Sequence, residues 1–206
     1  MKVIVLASQK GGVGKSTLAA HLAVEAERAG SGSVALIDTD PQGSLSAWWN
    51  IREVETPTFA QITLSKLPEQ IAQLAARRIK LVFIDTPPAL SEPIRVVAKS
   101  AHLILVPVRP SPHDLRAVAG TVDLLEPLGK PMVFLVNSAT IRARITADAA
   151  VALSQHGKVA PIMVHHRVDF AVSMIDGRTV GELNPDGNSA TEIGQLWKYV
   201  NKQLGT

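Results

Sequence analysis

Six short apolar runs recur along the chain, at residues 2–7, 33–37, 80–85, 102–107, 131–136 and 159–164. They are rich in Val, Ile and Leu and nearly unbroken, so each reads as a strand buried on both faces, as a parallel sheet requires. Amphipathic stretches of helical period lie between them, near 15–29, 44–50, 66–77, 91–99, 112–127, 145–155 and 189–204. This alternation predicts an α/β doubly wound fold, a mostly parallel sheet with helices on both faces. Segments 51–65 and 177–188 read as loops. Folds of this class bind ligands at the carboxyl ends of their strands. The residues just after each run are therefore where chemistry is expected.

The 206 residues, 46% of them hydrophobic, suit one domain spanning 1–206 and leave little room for a second. The chain has no Cys, which excludes disulfide scaffolds, thiolate metal sites and a cysteine nucleophile. Met1 runs straight into the first strand, without a basic, apolar leader, and no apolar run reaches ~18 residues. A cytoplasmic protein without a membrane span is expected. The net charge of +3 permits anionic partners without specifying one. His113, His156, His165 and His166 lack metal-ligand spacing.

After the first strand comes Gln9-Lys10-Gly11-Gly12-Val13-Gly14-Lys15-Ser16-Thr17, then a helix. Gly14, Lys15 and Ser16 fit the end of the phosphate loop G-x-x-x-x-G-K-[ST], although Gln9 stands at its first glycine. Glycines let backbone N–H groups turn inward, and the helix N-terminus adds its positive end. Lys15 is placed to reach the β- and γ-phosphates, and the Ser16 hydroxyl to ligate Mg²⁺. A dinucleotide fingerprint is the rival reading, since Gly12-Val13-Gly14 supplies G-x-G and Asp38 ends the second strand. Thr17 in place of the third glycine, and the Lys15-Ser16 pair, weigh against it.

Two further strands end in acids. The second closes on Asp38-Thr39-Asp40-Pro41-Gln42, and the third run reads Leu81-Val82-Phe83-Ile84-Asp85. Four apolar residues followed by Asp is the Walker B form, and Mg²⁺ accepts one acid acting through water. Asp38 fits either a cap or the Mg²⁺ shell. Val106-Pro107-Val108-Arg109-Pro110-Ser111-Pro112 follows, a stiff stretch that fits either a nucleotide contact or a rigid connector. Asn137 closes the next run, where an amide can read adenine through paired donor and acceptor groups.

Lys10-Gly11-Gly12-Val13-Gly14-Lys15-Ser16-Thr17 resembles the deviant Walker A box of the ParA/MinD superfamily of P-loop ATPases, and Asp38-Thr39-Asp40-Pro41-Gln42 resembles its second box. Pro110-Ser111-Pro112 and Arg167–Gly177 resemble small ParF-like partition proteins, as do the length and the absence of an N-terminal DNA-reading domain. The resemblance implies ATP and Mg²⁺ as ligands. It implies catalytic roles for Lys10, Lys15 and Asp40, with Lys10 crossing a dimer interface and Asp40 orienting the attacking water. It places the nucleotide on Gly11, Gly12, Val13, Gly14, Lys15, Ser16, Thr17, Pro107 and Asn137, and the metal on Ser16, with Asp38 and Asp85 through water.

It further implies a homodimer on ATP, with higher-order assembly open. A ParB-like or other adaptor would stimulate slow hydrolysis, and DNA would be bound without sequence preference, placing the protein on the nucleoid. Arg142, Arg144, Arg167, Lys198 and Lys202 are the DNA-binding candidates, each equally readable as a solvated charge. The iron-protein branch is excluded by the lack of Cys, the tyrosine-kinase branch is disfavoured because Tyr199 is the only Tyr, and a GTPase by the lack of N-K-x-D. A MinD-like membrane role is the alternative, because Ile193, Leu196, Trp197, Val200 and Leu204 form one apolar stripe. A terminal helix docked on the domain explains the same stripe and is preferred.

Overall fold

The structure, a computed structural model, describes residues 1–88 and 92–205. Seven strands form one sheet: β1 (Lys2–Leu6), β2 (Val34–Asp38), β3 (Thr58–Phe59), β4 (Leu81–Asp85), β5 (Leu103–Val108), β6 (Met132–Val136) and β7 (Lys158–Val159). Their order is β3-β2-β4-β1-β5-β6-β7, and every pairing is parallel. The doubly wound parallel fold is thus as expected.

Strand residues alternate between two cores, as the period of two dictates. Ile4, Leu6, Leu36, Phe83, Leu105 and Leu135 face one, and Val3, Val5, Ile37, Ile84, Ile104 and Val136 the other. The first face is covered by α1 (Lys15–Arg28), α2 (Ser44–Asn50) and, further along the chain, the C-terminal helix. The second carries α3 (Leu67–Ala76), α4 (Glu92–Lys99), α5 (Pro112–Arg116), α6 (Val118–Leu125) and α7 (Arg144–Ser154). Three more helices close the chain: α8 (Val168–Met174), α9 (Val180–Leu183) and α10 (Asn188–Gln203).

Ile193, Leu196, Trp197, Val200 and Leu204 are all buried in the first core. The apolar stripe of α10 is therefore spent on the fold, and each such side chain contributes roughly 1.5–3 kcal/mol. No helix among the described residues is long and apolar enough to cross a membrane.

Four local expectations change. The run 159–164 joins the ladder only through β7, because Pro161 lacks the N–H that would continue it. Ala160 N and Val164 N still donate to Phe134 O and Val136 O, at 2.9 and 3.0 Å. The stretch 112–127 divides into α5, α6 and a 3₁₀ turn at Glu126–Leu128. Loop 51–65 contains the edge strand β3, and loop 177–188 contains α9. Residue 91, the expected start of the fourth amphipathic stretch, lies outside the described residues, and α4 begins at Glu92.

Candidate phosphate-binding site

The loop after β1 turns on Gly12 (φ +70°) and Gly14 (φ +90°), conformations that a side chain disfavours. Gly14 is also the N-cap of α1, and a Cβ there would stand 2.3 Å from Asn137 Nδ2. Gly11 and Gly12 are exposed, whereas Val13 and Lys15 are buried. The loop thus presents its backbone and the start of α1 to the carboxyl edge of the sheet, as an anion site requires.

Lys15 Nζ lies across the mouth of this loop, donating to Lys10 O at 3.2 Å. Burial lowers its pKa, while the charges of Asp85 and Asp40 act to raise it. The Lys10 side chain is half-buried at the loop entrance. On the β4 side, Ser16 Oγ donates to Asp85 Oδ2 at 2.5 Å, and Thr86 N donates to Asp85 Oδ1 at 3.0 Å. Asp85 is fully buried, and desolvation pushes its carboxyl up to about 7, helped by the negative charges of Asp38 and Asp40 and opposed by Ser16 and Lys15.

These oxygens fit a hard divalent cation. A carboxylate held dry beside a hydroxyl, with two more acids near it and Lys15 as its nearby cation, would gain from the positive charge of Mg²⁺. No group of three or more His, Asp or Glu among the described residues forms a complete cage.

Asp38 is engaged by the chain around it. Its Oδ2 accepts from Ser46 N and Ser46 Oγ at 2.9 and 3.0 Å, and its Oδ1 from Asp40 N at 3.0 Å. It braces the first turn of α2 and the loop that carries Asp40. Asp40 accepts from Gln42 N at 3.0 Å and stays half-buried at the rim.

Asn137 donates from Nδ2 to Val13 O at 2.7 Å, so its amide fixes the loop from below. It also borders a cavity of about 240 Å³ between the loop, β6 and α8, lined by Gly12, Gly14, Thr17, His166, Phe170 and Met174 among others. Pro107 is buried within β5, close to Lys10 and Val13.

The cavity wall was not legible as a site in the sequence, since the resemblance of Arg167–Gly177 assigned no role to Phe170 or Met174 and His165 and His166 lack metal-ligand spacing. Glu192 of α10 holds it, accepting from Arg167 Nη2 at 2.7 Å, His165 N at 3.0 Å and, at 2.8 Å, His165 Nδ1. Burial would raise the Glu192 carboxyl, but these bonds leave it below the usual carboxylate range. Arg167, one of the DNA-binding candidates, is half-buried and paired with Glu192. Arg142, Arg144, Lys198 and Lys202 are exposed, with Arg144 3.7 Å from Asp148.

A glycine loop, a lysine across it and a hydroxyl–aspartate pair beside it agree with the comparison to known families. The profile of the CobQ/CobB/MinD/ParA nucleotide-binding domain matches residues 4–180. The chain belongs to the ParA/MinD family. It is 29% identical to the maintenance of carboxysome distribution protein A of Halothiobacillus neapolitanus, over 96% of this chain and 95% of that one. It is 28% identical to protein ParA of Rhizobium radiobacter, over 94% and 91%. Among solved structures, the MinD cell division protein of Aquifex aeolicus superposes with TM-score 0.82 at 17% identity, over 98% of each chain. The ParA/MinD family is one of nucleotide-binding ATPases, and the fold around this loop is theirs.

Proposed function

We propose that the chain is a Mg²⁺-dependent ATPase that positions a large cargo, DNA or a protein compartment, through an ATP-dependent homodimer. The observation that carries this reading is the Ser16–Asp85 pair facing Lys15 across the glycine loop. The names of the similar proteins, concerned with carboxysome distribution and with partition, support positioning as the task.

In this reading residues 1–206 act as one ATPase domain. Backbone N–H groups of Gly11 to Thr17 bind the phosphates, and Lys15 turns from Lys10 O to the β- and γ-phosphates. Ser16 and Asp85 hold Mg²⁺, whose charge offsets that developing on the phosphates. Asp38 keeps the Asp40 loop in place, and Asp40 orients the attacking water. The cavity beside Phe170 and Met174 takes the base. Lys10 serves the partner's nucleotide, the role that its place in the deviant Walker A box implies.

Arg142, Arg144, Lys198 and Lys202 pair with DNA phosphates, which would place the protein on the nucleoid. A ParB-like or other adaptor triggers hydrolysis and release. The burial of the α10 stripe weighs against the membrane alternative.

Sedimentation of wild type, Lys15→Ala and Lys10→Ala with ATP, ADP and no nucleotide tests the reading. Wild type dimerises with ATP alone, Lys15→Ala loses ATP binding, and Lys10→Ala binds ATP but stays monomeric. Equal behaviour of all three proteins in all three conditions overturns it.

A further inference from the structure

The carboxylates crowd one flank of the loop, because Asp38 and Asp85 end β2 and β4, on one side of β1. The other flank belongs to β5, whose strand ends at Val108. There Arg109 turns toward the loop, with Nη1 3.7 Å from the point where a Cβ on Gly12 would stand.

Its guanidinium is anchored from behind. Nη2 is 3.2 Å from Asp114 Oδ1, and the Asp114 side chain is only 4% exposed. Ser111, the N-cap of α5, accepts from Asp114 N at 3.1 Å, and its hydroxyl donates to Asp114 Oδ2. Arg109 Nε is buried without a hydrogen-bond partner. A buried charged donor without an acceptor is costly, and such groups mark places where a ligand supplies the acceptor. The nitrogen beside Gly12 is Nη1, on a side chain 42% exposed, so an anion held at the loop would lie within reach of the guanidinium. Lys15 Nζ sits on Lys10 O, at the same limb of the loop, and a loop lysine reaches the outer phosphates of a nucleotide.

We propose that Arg109 is a phosphate-contacting residue, donating to the outer phosphates of a bound nucleoside triphosphate from the β5 side, with Asp114 as its positioning residue. The assignment rests on the reading of this loop as an ATP site. It sets the bound phosphates between a metal flank and an arginine flank of one chain. An arginine is suited to this because its planar fork can hold Asp114 with one nitrogen and present others to phosphate.

The test is calorimetric binding of ATP and ADP to the full chain, as wild type, Lys15→Ala, Arg109→Ala, Arg109→Lys and Asp114→Asn. Arg109→Ala should weaken ATP about tenfold or more, a change of about 1.4 kcal/mol, and ADP by less than about threefold. Arg109→Lys should recover part of the loss, and Asp114→Asn should fall between wild type and Arg109→Ala. If wild type binds no ATP, or Lys15→Ala binds it normally, the phosphate-loop reading itself fails. If those two controls behave and Arg109→Ala binds ATP normally, or loses ATP and ADP equally, only the Arg109 assignment is overturned. It is likewise overturned if Arg109→Ala binds ATP normally and fails only to dimerise.

Discussion

Ser16 Oγ donates to Asp85 Oδ2 across 2.5 Å, joining the first turn of α1 to the end of β4. One end of this bond belongs to the phosphate loop and the other to a strand packed beside β1. It is a direct link between the loop of the proposed phosphate site and the acid of the proposed metal site.

Asp85→Asn keeps the shape of that contact and removes a buried charge. The nucleotide-free protein should gain about 1 kcal/mol or more, because the buried carboxyl, pushed up to about 7, no longer has to ionise without water. For a chain of this size that is roughly 2–4 °C in melting temperature. Mg²⁺-dependent ATP binding should fall at the same time. Opposite signs in calorimetric melting and in ATP titration identify an acid kept for its ligand, and a loss in both would make Asp85 a structural residue.

Asp40→Ala should separate binding from chemistry. The side chain is half-buried at the rim and bonds to Gln42 N, so its removal leaves the glycine loop intact. ATP affinity should stay within about threefold of wild type, while single-turnover hydrolysis slows by ~10²–10⁴, as losing a water-positioning group does. Wild-type hydrolysis by Asp40→Ala would remove it from the mechanism.

The phosphate loop was legible because its chemistry is local. Gly12 and Gly14 take positive φ, and Lys15 and Ser16 follow them at a fixed spacing, both of which a sequence states directly. The inner strands β1, β2, β4, β5 and β6 were legible because both faces are buried, so each reads as a solid apolar run. The cavity wall was not, since it joins Phe170 and Met174 of α8 to Asn137 after β6, and that proximity exists only once the chain has folded. The partners of Asp38 and Arg167 were not legible for a related reason. Those partners, Ser46 and Glu192, take positions that follow from tertiary packing. The edge strand β3 was missed because two residues carry no periodicity.

DNA binding should depend on Arg142 and Arg144, which stand exposed where α7 begins. If ATP-loaded protein binds duplex DNA, log K should fall linearly with log salt by about 0.9 per phosphate neutralised. Replacing both arginines with Ala should reduce the slope by about 2, with equal effects on unrelated sequences. Filter binding at four salt concentrations on two duplexes measures both quantities. An unchanged slope would leave these arginines as solvated charges.

Arg52 and Glu182 clamp the end of α2 to α9. Arg52 Nη2 lies 2.6 Å from Glu182 Oε1 and Nη1 2.9 Å from Oε2, with Nη1 also donating to Gly177 O at 2.7 Å. The Arg52 side chain is 3% exposed and stacks on Trp48 at 5.4 Å. Arg52→Ala should cost about 1.5–3 kcal/mol, because Glu182 loses the guanidinium and keeps its bonds from Thr179 N and Thr179 Oγ1. Gly177→Ala should also destabilise, since φ is +76° and a Cβ there would meet Arg52 Cα at 2.4 Å. Urea unfolding measures both, and a cost under about 1 kcal/mol for Arg52→Ala would show the clamp to be dispensable.

His21 should make the fold sensitive to mild acid. It lies on α1, one turn beyond Thr17, fully enclosed, with Nδ1 2.8 Å from Thr17 O and the ring 5.1 Å from Phe170. Its second nitrogen faces Ser173 Oγ at 3.4 Å. Burial lowers its pKa to about 4, against the opposing effects of the Thr17 carbonyl and the Glu182 charge. The neutral ring is therefore the folded form, whereas the unfolded chain takes up a proton near pH 6.5. Between those values the unfolded state binds more protons, so stability is complete above about pH 6.5 and falls as pH drops toward 4. At 1.36 kcal/mol per pH decade the loss approaches about 3 kcal/mol. His21→Leu keeps most of the ring's volume and cannot protonate. Unfolding free energies at pH 7.5, 6, 5 and 4 should therefore fall more steeply for wild type than for His21→Leu, and the gap should stop widening below pH 4. Parallel curves for the two proteins would mean that His21 is already solvated or already charged within the fold.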